Sequence, residues 1–368
     1  MNSYIFLSKT SDRMKTILRF RLVCLIVFAN LCHTFALAQK QNILICTYYF
    51  EGWAGHRANS ESWNKNAPTH LTEKLQKQFP DREPIWGWRD DNDDVMKRQI
   101  NLAHDNGVDC FFFDWYWADS KKEINVKKIE EKPTNDCISR FLKVDDNYKM
   151  KFALMIANHS GAEIVGKDNW LKAIDYFSDK YFKKNNYLKV DGKPVIAVFS
   201  PKAIYPYLED VRKEVIKLGY PDIYIISLGY GGKGFDAYSW YNTFETVKNS
   251  PKDIEKPYKD LISFVENKWS SQYPNSLTFP VVMAGWDRRP WQEKVLYYSQ
   301  RSPKLFYSHL SNAADFVMKE ESKQKMIFIY AWNEMGEGGY LVPTKDDKKG
   351  AYLKKIRKLR KRLSQKYN

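Results

Sequence analysis

The sequence is poor in cysteine, the residue that builds disulfide frameworks and many structural metal sites. Only five cysteines occur in 368 residues. Cys24 and Cys32 lie in an N-terminal apolar run, and the other three cysteines are far apart without metal-ligand spacing. We therefore predict neither a disulfide scaffold nor a cysteine metal site.

The chain also lacks a linker rich in Pro, Gly and Ser, a fixed-period repeat and a low-complexity segment. Its content of hydrophobic residues is 43% and that of aromatic residues is 15%, which excludes a disordered chain. The glycines of residues 229–234 follow an apolar run, but their spacing matches neither phosphate-binding fingerprint. These absences favour one folded domain without a nucleotide loop.

Residues 1–38 have the layout of a secretory signal peptide. Basic residues precede an apolar run over residues 22–38, which ends in the small-x-small sequence Ala36-Leu37-Ala38. The alternative, an uncleaved membrane anchor, needs about 20 apolar residues and is less favoured. We predict a signal peptide at 1–38, a mature domain at 39–368 without a transmembrane span, and a secreted or periplasmic protein.

Positive charge is concentrated at the C-terminus. The formal net charge is +15, and residues 345–368 contain eleven Lys and Arg against two Asp. Leu353, Ile356, Leu359 and Leu363 recur at helical spacing, which predicts a basic amphipathic helix. The nearly neutral remainder argues against a nucleic-acid-binding groove. The basic helix face is interpreted as solvated, with weak contact to an anionic polysaccharide or lipid surface as the alternative.

Apolar runs of strand length alternate with amphipathic segments of helix length along the mature chain. The predicted strands are Ile43 to Phe50, Val108 to Trp115, Lys151 to Ala157, Pro194 to Ser200, Ile223 to Gly229, Ala237 to Phe244, Phe279 to Gly285 and Met326 to Trp332. The predicted helices are Asp93 to Asn106, Cys137 to Val144, Trp170 to Phe182, Tyr207 to Leu218, Tyr258 to Lys268, Trp291 to Gln300 and Leu305 to Lys319. Eight such units predict an α/β fold of the (β/α)8 TIM-barrel type, and an open doubly wound sheet is the alternative.

Polar and aromatic residues follow the predicted strands, where the active sites of (β/α)8 barrels lie. The long connection Glu51 to Asn92, which is rich in tryptophan, adds to the same end. Aromatic rings stack on sugar rings while polar groups bind the hydroxyls, so this mixture predicts a carbohydrate cleft. An upper layer of core is the alternative for each aromatic residue. The candidate substrate-binding residues are Tyr48, Tyr49, Trp53, Asp114, Trp115, Tyr116, His159, Tyr230, Trp286, Asp287, Arg288, Trp332 and Asn333.

Two glutamates, Glu334 and Glu337, follow the apolar run 326–331 in a glycine-rich segment. A Glu-x-x-Glu spacing alone is weak evidence, because in a helix it is usually a solvated face. At the end of a barrel strand, however, the pair can supply the acid and the second carboxylate that glycoside cleavage requires. We predict that both are catalytic, and that repulsion and burial raise the pKa of one of them.

The residues in order resemble glycoside hydrolase family 99 and its neighbour, the WbsX-like domain described as a polysaccharide-biosynthesis glycosyltransferase. The matching segments are Tyr48-Tyr49, Gln99-Ile100-Asn101-Leu102-Ala103, Gly107-Val108-Asp109, Phe112-Phe113-Asp114-Trp115-Tyr116-Trp117, Gly285-Trp286-Asp287 with Arg288-Arg289, and Trp332-Asn333-Glu334 to Glu337-Gly338 with Tyr340-Leu341. The resemblance spans most of the mature chain.

The resemblance implies a (β/α)8 glycosidase without metal or other cofactor, acting on a polysaccharide or oligosaccharide. It further implies a retaining endo-acting α-mannosidase in which Glu334 removes the proton of the sugar's own 2-hydroxyl. Glu337 would then protonate the leaving group, and a 1,2-anhydro sugar would form. The sequence departs from the mannosidase pattern, which has Trp-His where this chain has Met335-Gly336, and this version is nearer the WbsX-like pattern.

We therefore expect a secreted or periplasmic glycoside hydrolase with a glycan substrate. Arg288 and Arg289 would bind an acidic sugar or form ion pairs with Asp287. A WbsX-like glycosyltransferase is one alternative, against which the predicted export signal speaks because nucleotide-sugar donors are cytoplasmic. A non-catalytic glycan-binding barrel is the other.

Overall fold

The computed structural model describes residues 43–54, 70–117, 126–145, 148–159, 161–247, 250–291, 294–319 and 324–366. The predicted signal peptide lies outside the described residues. Residues 55–69 of the tryptophan-rich connection lie outside them as well.

Eight parallel strands form a nearly closed barrel, as predicted. They are β1 (Leu44–Tyr49), β2 (Cys110–Trp115), β3 (Lys151–Ile156), β4 (Lys193–Val198), β5 (Tyr224–Leu228), β6 (Ala237–Ser239), β7 (Val281–Met283) and β8 (Met326–Tyr330). Each strand pairs with its neighbours in chain order except at β6 and β7, and β8 pairs with β1. The remaining gap between β6 and β7 is bridged by a single hydrogen bond, from Phe279 N–H to the Tyr238 carbonyl at 2.9 Å.

Helices follow the strands around the outside. They are α1 (Glu73–Gln78), α2 (Asp93–Asp105), α3 (Val126–Glu130), α4 (Asp136–Val144), α5 (Lys167–Phe177), α6 (Pro201–Ile204), α7 (Leu208–Lys217), α8 (Tyr258–Trp269), α9 (Pro303–Lys319) and α10 (Ala351–Lys366). Shorter helical turns occupy Pro80–Arg82, Pro133–Asn135, Ser178–Phe182, Tyr205–Tyr207 and Asn275–Leu277. The sequence signals for the start and end of a helix are visible at helix α2. Its first turn is capped by the Asn92 side chain, and Gly107 follows its end with a φ of +89°.

Two predicted elements are wrong in part. The segment Trp291 to Gln300, predicted as a helix, contains the short strand Leu296–Ser299, which pairs in parallel with Ile254–Pro257. Its run Val295-Leu296-Tyr297-Tyr298 is β-branched and aromatic, and such residues favour strands. The predicted strand Ala237 to Phe244 is also too long, because the strand ends at Ser239.

Successive side chains of each strand alternate between the barrel interior and the surrounding helices. On β1, the Tyr48 ring stacks inside the barrel on Phe328 at 5.3 Å, whereas Tyr49 packs on the outer residues Phe111 and Phe113. Cys46, Cys110 and Cys137 are buried free thiols. This alternation decides below which strand residues can reach the site.

The C-terminal helix α10 packs through the predicted apolar stripe, with Leu353, Ile356 and Leu359 buried. Arg360 ties the helix to the start of the barrel by donating to the carbonyls of Ile43 and Gly107, at 2.6 and 2.8 Å. Among the described residues, we find no helix with the length and apolar character that a bilayer span requires.

Candidate active site

The two glutamates lie on a small hairpin that follows β8. Residues Asn333–Glu334 pair with Gly339–Tyr340 in antiparallel fashion. The Asn333 side chain fixes this hairpin to the end of β1, because its Oδ1 accepts from Phe50 N–H at 2.9 Å and its Nδ2 donates to the Phe50 carbonyl at 2.6 Å. Glu334 and Glu337 are thereby held at the carboxyl end of the barrel strands.

The glycines of the hairpin allow close packing. A Cβ atom at Gly336 would lie 2.2 Å from the Trp291 indole, so no side chain fits there without moving that ring. Gly338 adopts a φ of +73°, and a Cβ at this position would lie 2.9 Å from the Asp287 nitrogen. Gly336 and Gly338 therefore let the hairpin pack closely against Trp291 and Asp287.

Glu334 is joined to Asp114 through one tyrosine. The Tyr241 hydroxyl lies 2.8 Å from Glu334 Oε1 and 2.6 Å from Asp114 Oδ2. Glu334 is only 4% exposed and Asp114 only 1%. The second carboxyl oxygen of each residue is buried without a hydrogen-bond partner among the described residues. Buried, incompletely paired carboxyl groups are costly to keep charged.

Glu337 has different partners. Its Oε2 accepts a hydrogen bond from the Tyr330 hydroxyl and a long one, 3.5 Å, from Asn242 Nδ2. Its Oε1 lies 3.3 Å from Arg288 Nε in an ion pair without hydrogen-bond geometry. Glu337 thus has hydrogen-bond donors on Oε2 and a guanidinium charge beside Oε1, whereas Glu334 Oε2 has no hydrogen-bond partner among the described residues.

Burial raises the pKa of all three carboxyl groups. For Glu334 the pKa rises well above its usual value, first through burial and then through the negative charges of Glu337 and Asp114. Burial likewise raises the pKa of Asp114 well above normal, although the Tyr241 hydrogen bond opposes the rise. Burial also raises the pKa of Glu337, against the opposing effects of Tyr330, Arg288 and Asn242. The cluster therefore favours states that retain protons.

Asp287 belongs to a separate ion cluster beside the hairpin. It pairs with Arg82, and its two oxygens accept from Arg289 Nε and Nη2 at 2.9 and 2.8 Å. Arg82 also donates to the Met335 carbonyl at 2.9 Å, and Asp287 N–H donates to the Glu337 carbonyl at 2.6 Å. Arg289 and Asp287 thus form an ion pair, one of the two alternatives given by the sequence, and the cluster supports the hairpin that carries the glutamates.

Four predicted substrate-binding residues are packed away from the carboxyl cluster. Tyr49 and Trp115 are fully buried on the helix side of their strands, and Trp332 is fully buried beyond the end of β8. The Asn333 side chain is hydrogen-bonded to the backbone of Phe50. The Trp115 ring packs on Phe177 at 4.6 Å, and Trp332 Nε1 donates to Gln99 Oε1 at 2.7 Å. Strand alternation explains the placement of Tyr49 and Trp115, and none of the four residues is part of the proposed site.

The other aromatic candidates divide into three places. Three of them lie close to the cluster. The Tyr48 ring is 4.8 Å from that of Tyr241, and the Trp286 ring is 5.9 Å from that of Tyr330. The Tyr116 ring is 5.7 Å from that of His159. Trp53 packs against Trp88 and Trp291 above the hairpin. Tyr230 is 65% exposed, on the loop after β5. His159 is exposed at the rim and contacts the Tyr116 ring.

Sequence reasoning missed Tyr241, Asn242, Tyr330 and Arg82. Tyr241 and Asn242 were hidden because the predicted sixth strand ran past them, although residues directly after a strand are the ones to inspect. Tyr330 is the last residue of β8 and lies within the predicted apolar strand, where only the residues after the strand end were considered for the site. Arg82 lies in the long connection after β1 and carried no local signal.

In the part of the chain that the structure describes, no three His, Cys, Asp or Glu side chains gather as a potential metal site. The carboxyl groups present are instead bounded by tyrosine hydroxyls, one amide and one guanidinium. This donor set suits proton transfer and hydrogen bonding to a polar substrate.

The (β/α)8 fold is similar to that of solved structures. The GH99 endo-alpha-mannosidase from Bacteroides thetaiotaomicron superposes with a TM-score of 0.59 at 13% identity, over 87% of this chain and 97% of that one. A solved glycoside hydrolase-like protein gives the same TM-score at 14% identity, over 86% of this chain and 94% of that one.

The family model described as Glycosyltransferase WbsX matches residues 61–356, and the chain belongs to that family. A curated relative, "Uncharacterized protein WxcX" of Xanthomonas campestris pv. campestris (strain B100), is 23% identical over 286 residues. That match covers 68% of this chain and 39% of the relative, so the chain spans about two fifths of that protein's length.

Proposed function

We propose that the protein is a glycoside hydrolase and that Glu334 and Glu337 are its catalytic carboxyl groups. The observation that carries the proposal is a buried cluster of three carboxyl groups at the carboxyl end of a (β/α)8 barrel. Two of the three have an oxygen without a hydrogen-bond partner among the described residues. Structural carboxylates are normally fully paired, whereas catalytic ones need proton affinities shifted by their surroundings.

The roles proposed for the two glutamates follow the family resemblance. Glu334 accepts the proton of the sugar's 2-hydroxyl, whose oxygen bonds to the anomeric carbon while the bond to the leaving oxygen breaks. Glu337 gives its proton to that oxygen. Water then opens the 1,2-anhydro ring at the anomeric carbon, giving one proton to Glu337, while Glu334 returns its proton to the 2-oxygen. Each glutamate ends in its starting state.

The surroundings of the pair fit this scheme on one condition. Glu334 Oε2 has no hydrogen-bond partner among the described residues, as a base awaiting a substrate hydroxyl requires. The raised pKa of Glu337 favours the protonated state that an acid needs, since burial outweighs the opposing effects of Tyr330, Arg288 and Asn242. Burial and the negative charges of Glu337 and Asp114 raise the pKa of Glu334, so the base role needs those two charges to be reduced.

The proposed substrate is a polysaccharide or complex glycan cleaved at an internal bond. Tyr48, Tyr116 and Trp286 lie near the cluster, and His159, Arg288 and Asn242 supply polar groups beside it. One of the similar solved structures is that of an endo-alpha-mannosidase, and on this basis α-mannans are the first substrates to test. We also propose export through residues 1–38, in which case the protein from its producing cell begins at Gln39.

A glycosyltransferase is the second candidate, because the family model carries that description. The structure offers a glycine-rich loop after β5, in which Gly229, Gly232 and Gly234 have positive φ. Its sequence spacing differs from known phosphate-binding fingerprints. The two candidates differ in one requirement, since a transferase needs an activated sugar donor and a hydrolase needs only water.

The test is incubation of the protein with plant, fungal and host polysaccharides in the absence of any sugar nucleotide. The hydrolase proposal predicts new reducing ends and shortened chains. Glu334→Gln and Glu337→Gln should each lose roughly 10² or more in rate while still binding the glycan. Glu245→Gln is the matched control, because Glu245 is paired with Lys256 and Tyr298 outside the cluster. Equal rates in all three variants would contradict the proposal, and binding without any rate would favour a glycan-binding barrel.

A further inference from the structure

A single tyrosine hydroxyl lies between two buried carboxyl groups. Tyr241 Oη is 2.6 Å from Asp114 Oδ2 and 2.8 Å from Glu334 Oε1, both within hydrogen-bond distance. A tyrosine hydroxyl has one proton to donate, and an ionised carboxylate has none. If both carboxyl groups were ionised, one of these two contacts would join two oxygens with no proton between them. The geometry therefore requires one further proton in the cluster.

The surroundings decide which carboxyl group holds that proton. Asp114 is the more deeply buried, and among the described residues Tyr241 is the hydrogen-bond partner of its carboxyl group while Oδ1 has none. The titratable groups that face it, Tyr48, Tyr116, Glu334 and Glu337, are neutral or negative. Glu334, in contrast, feels the positive charge of Arg288.

We infer that Asp114 is a protonated positioning residue: its O–H donates to Tyr241 Oη, and Tyr241 O–H in turn donates to Glu334 Oε1. This relay keeps Glu334 ionised and leaves its Oε2 directed to a substrate hydroxyl. The inference rests on the proposed function only for the base role of Glu334. It differs from the sequence-based prediction that Asp114 binds the sugar.

The relay supplies the condition that the proposed function needs. With Asp114 neutral, the repulsion from a second buried carboxylate disappears. When Glu337 is protonated as the acid, Glu334 is the only one of these three carboxyl groups that is ionised. An asparagine at position 114 reproduces the neutral, hydrogen-bond-donating state, because its amide N–H can replace the carboxyl O–H. A leucine of similar size cannot.

The first experiment measures the proton directly. The full chain is produced with ¹³C-carboxyl aspartate, and its infrared spectrum near neutral pH is compared with that of Asp114→Asn. We expect a protonated aspartic acid band in the wild type that is absent from Asp114→Asn. In Tyr241→Phe the band should persist at a shifted frequency, because the acceptor hydroxyl is gone.

Asp145→Asn is the matched control. Asp145 is buried too, but it accepts from the backbone N–H groups of Lys149 and Met150 and from the Asn186 amide, which makes it an acceptor-only carboxylate. Its substitution should leave the band in place. A wild-type spectrum without a protonated aspartic acid band, or a band that survives in Asp114→Asn, would overturn the inference.

The second experiment uses glycan cleavage. We expect Asp114→Asn to keep the rate within about tenfold of the wild type and Asp114→Leu to lose roughly 10² in kcat. Equal large losses in both would overturn the relay. If no glycan is cleaved but the aspartic acid band is present and lost in Asp114→Asn, the proposed function fails while the inference about Asp114 stands. If cleavage occurs without the band, the inference alone fails.

Discussion

Asp287 and the group of Asp114, Glu334 and Glu337 are buried at the same end of the barrel, and their carboxyl groups differ in hydrogen-bond partners. Asp287 accepts from two guanidinium groups and a backbone N–H. Burial alone would raise the pKa of Asp287, but the hydrogen bonds from Arg289 and the charge of Arg82 outweigh it and lower the pKa. This is the environment of a structural ion cluster.

The Asp114, Glu334 and Glu337 group has the opposite character. One hydroxyl serves two carboxyl groups, and two carboxyl oxygens are buried without a partner in the described part of the chain. The pKa of each of the three rises, with burial as the largest cause. The comparison teaches that the degree of pairing, more than burial itself, separates a supporting carboxylate from a candidate catalytic one.

The largest expected effect on stability belongs to Asp287. Asp287→Asn should lower the free energy of unfolding by about 3–5 kcal/mol, because Arg82 and Arg289 lose their buried counter-charge. Urea unfolding of the full chain measures the change. A loss well below 1 kcal/mol would mean that the ion cluster does not hold the hairpin.

A smaller loss is expected on the outer face of the barrel. Trp332→Phe removes the donor to Gln99 Oε1 and should cost about 1–3 kcal/mol, because a buried amide oxygen loses its partner. The KM and kcat of glycan cleavage should be unchanged in the folded variant. A raised KM with normal stability would return Trp332 to the substrate-binding set.

Glu334, whose Oε2 has no hydrogen-bond partner among the described residues, should behave in the opposite way. At neutral pH, Glu334→Gln should raise the free energy of unfolding by on the order of 1 kcal/mol, because it removes a buried charge that catalysis requires and folding does not. Chemical unfolding side by side with Asp287→Asn gives the comparison. A destabilisation as large as that of Asp287→Asn would place Glu334 among structural residues.

The smallest effect is on the pH dependence of stability, and its sign differs between the groups. The lowered pKa of Asp287 stabilises the fold above the unfolded value of about 3.9, and this contribution is lost as pH falls through the folded pKa. The raised pKa values of Asp114 and Glu334 stabilise at low pH, and their contribution is lost as pH rises above about 4 toward the folded values.

An Asp114→Asn, Glu334→Gln double variant should therefore lose less stability than the wild type as pH rises from about 4 to neutrality. Asp287→Asn should keep the fall in stability between about pH 4 and neutrality. It should not show the loss of stability that the wild type undergoes when Asp287 is protonated at acid pH. Urea midpoints measured from about pH 2 to neutrality test both signs, and unchanged slopes would contradict the assigned pKa shifts.

The barrel could be predicted from sequence because its strands are mostly apolar, as in β8, where every residue is buried. Trp291 to Gln300 was mistaken for a helix because its partner strand, Ile254–Pro257, lies some 40 residues away in sequence and gave no local sign of pairing. Strand pairing is a tertiary interaction that local periodicity does not report.

The site was predicted in part for a similar reason. Glu334 and Glu337 were found because they follow an apolar strand, and Asp114 because it lies at the end of β2. Tyr241 could not be paired with them, because it is separated by 127 residues from Asp114 and by 93 from Glu334. Whether an aromatic residue faces the cluster or the helices depends on strand register, which separated Tyr48 from Tyr49.

The most direct test of the central claim is cleavage in ¹⁸O-labelled water with no sugar nucleotide present. If Glu334 and Glu337 hydrolyse a glycosidic bond, mass spectrometry of the products should show one ¹⁸O atom at each new reducing end. The initial rate at which labelled product forms should be lower by roughly 10² in Glu337→Gln than in the wild type. Sugar transfer that depends on an added nucleotide donor, with no ¹⁸O incorporated, would contradict the account.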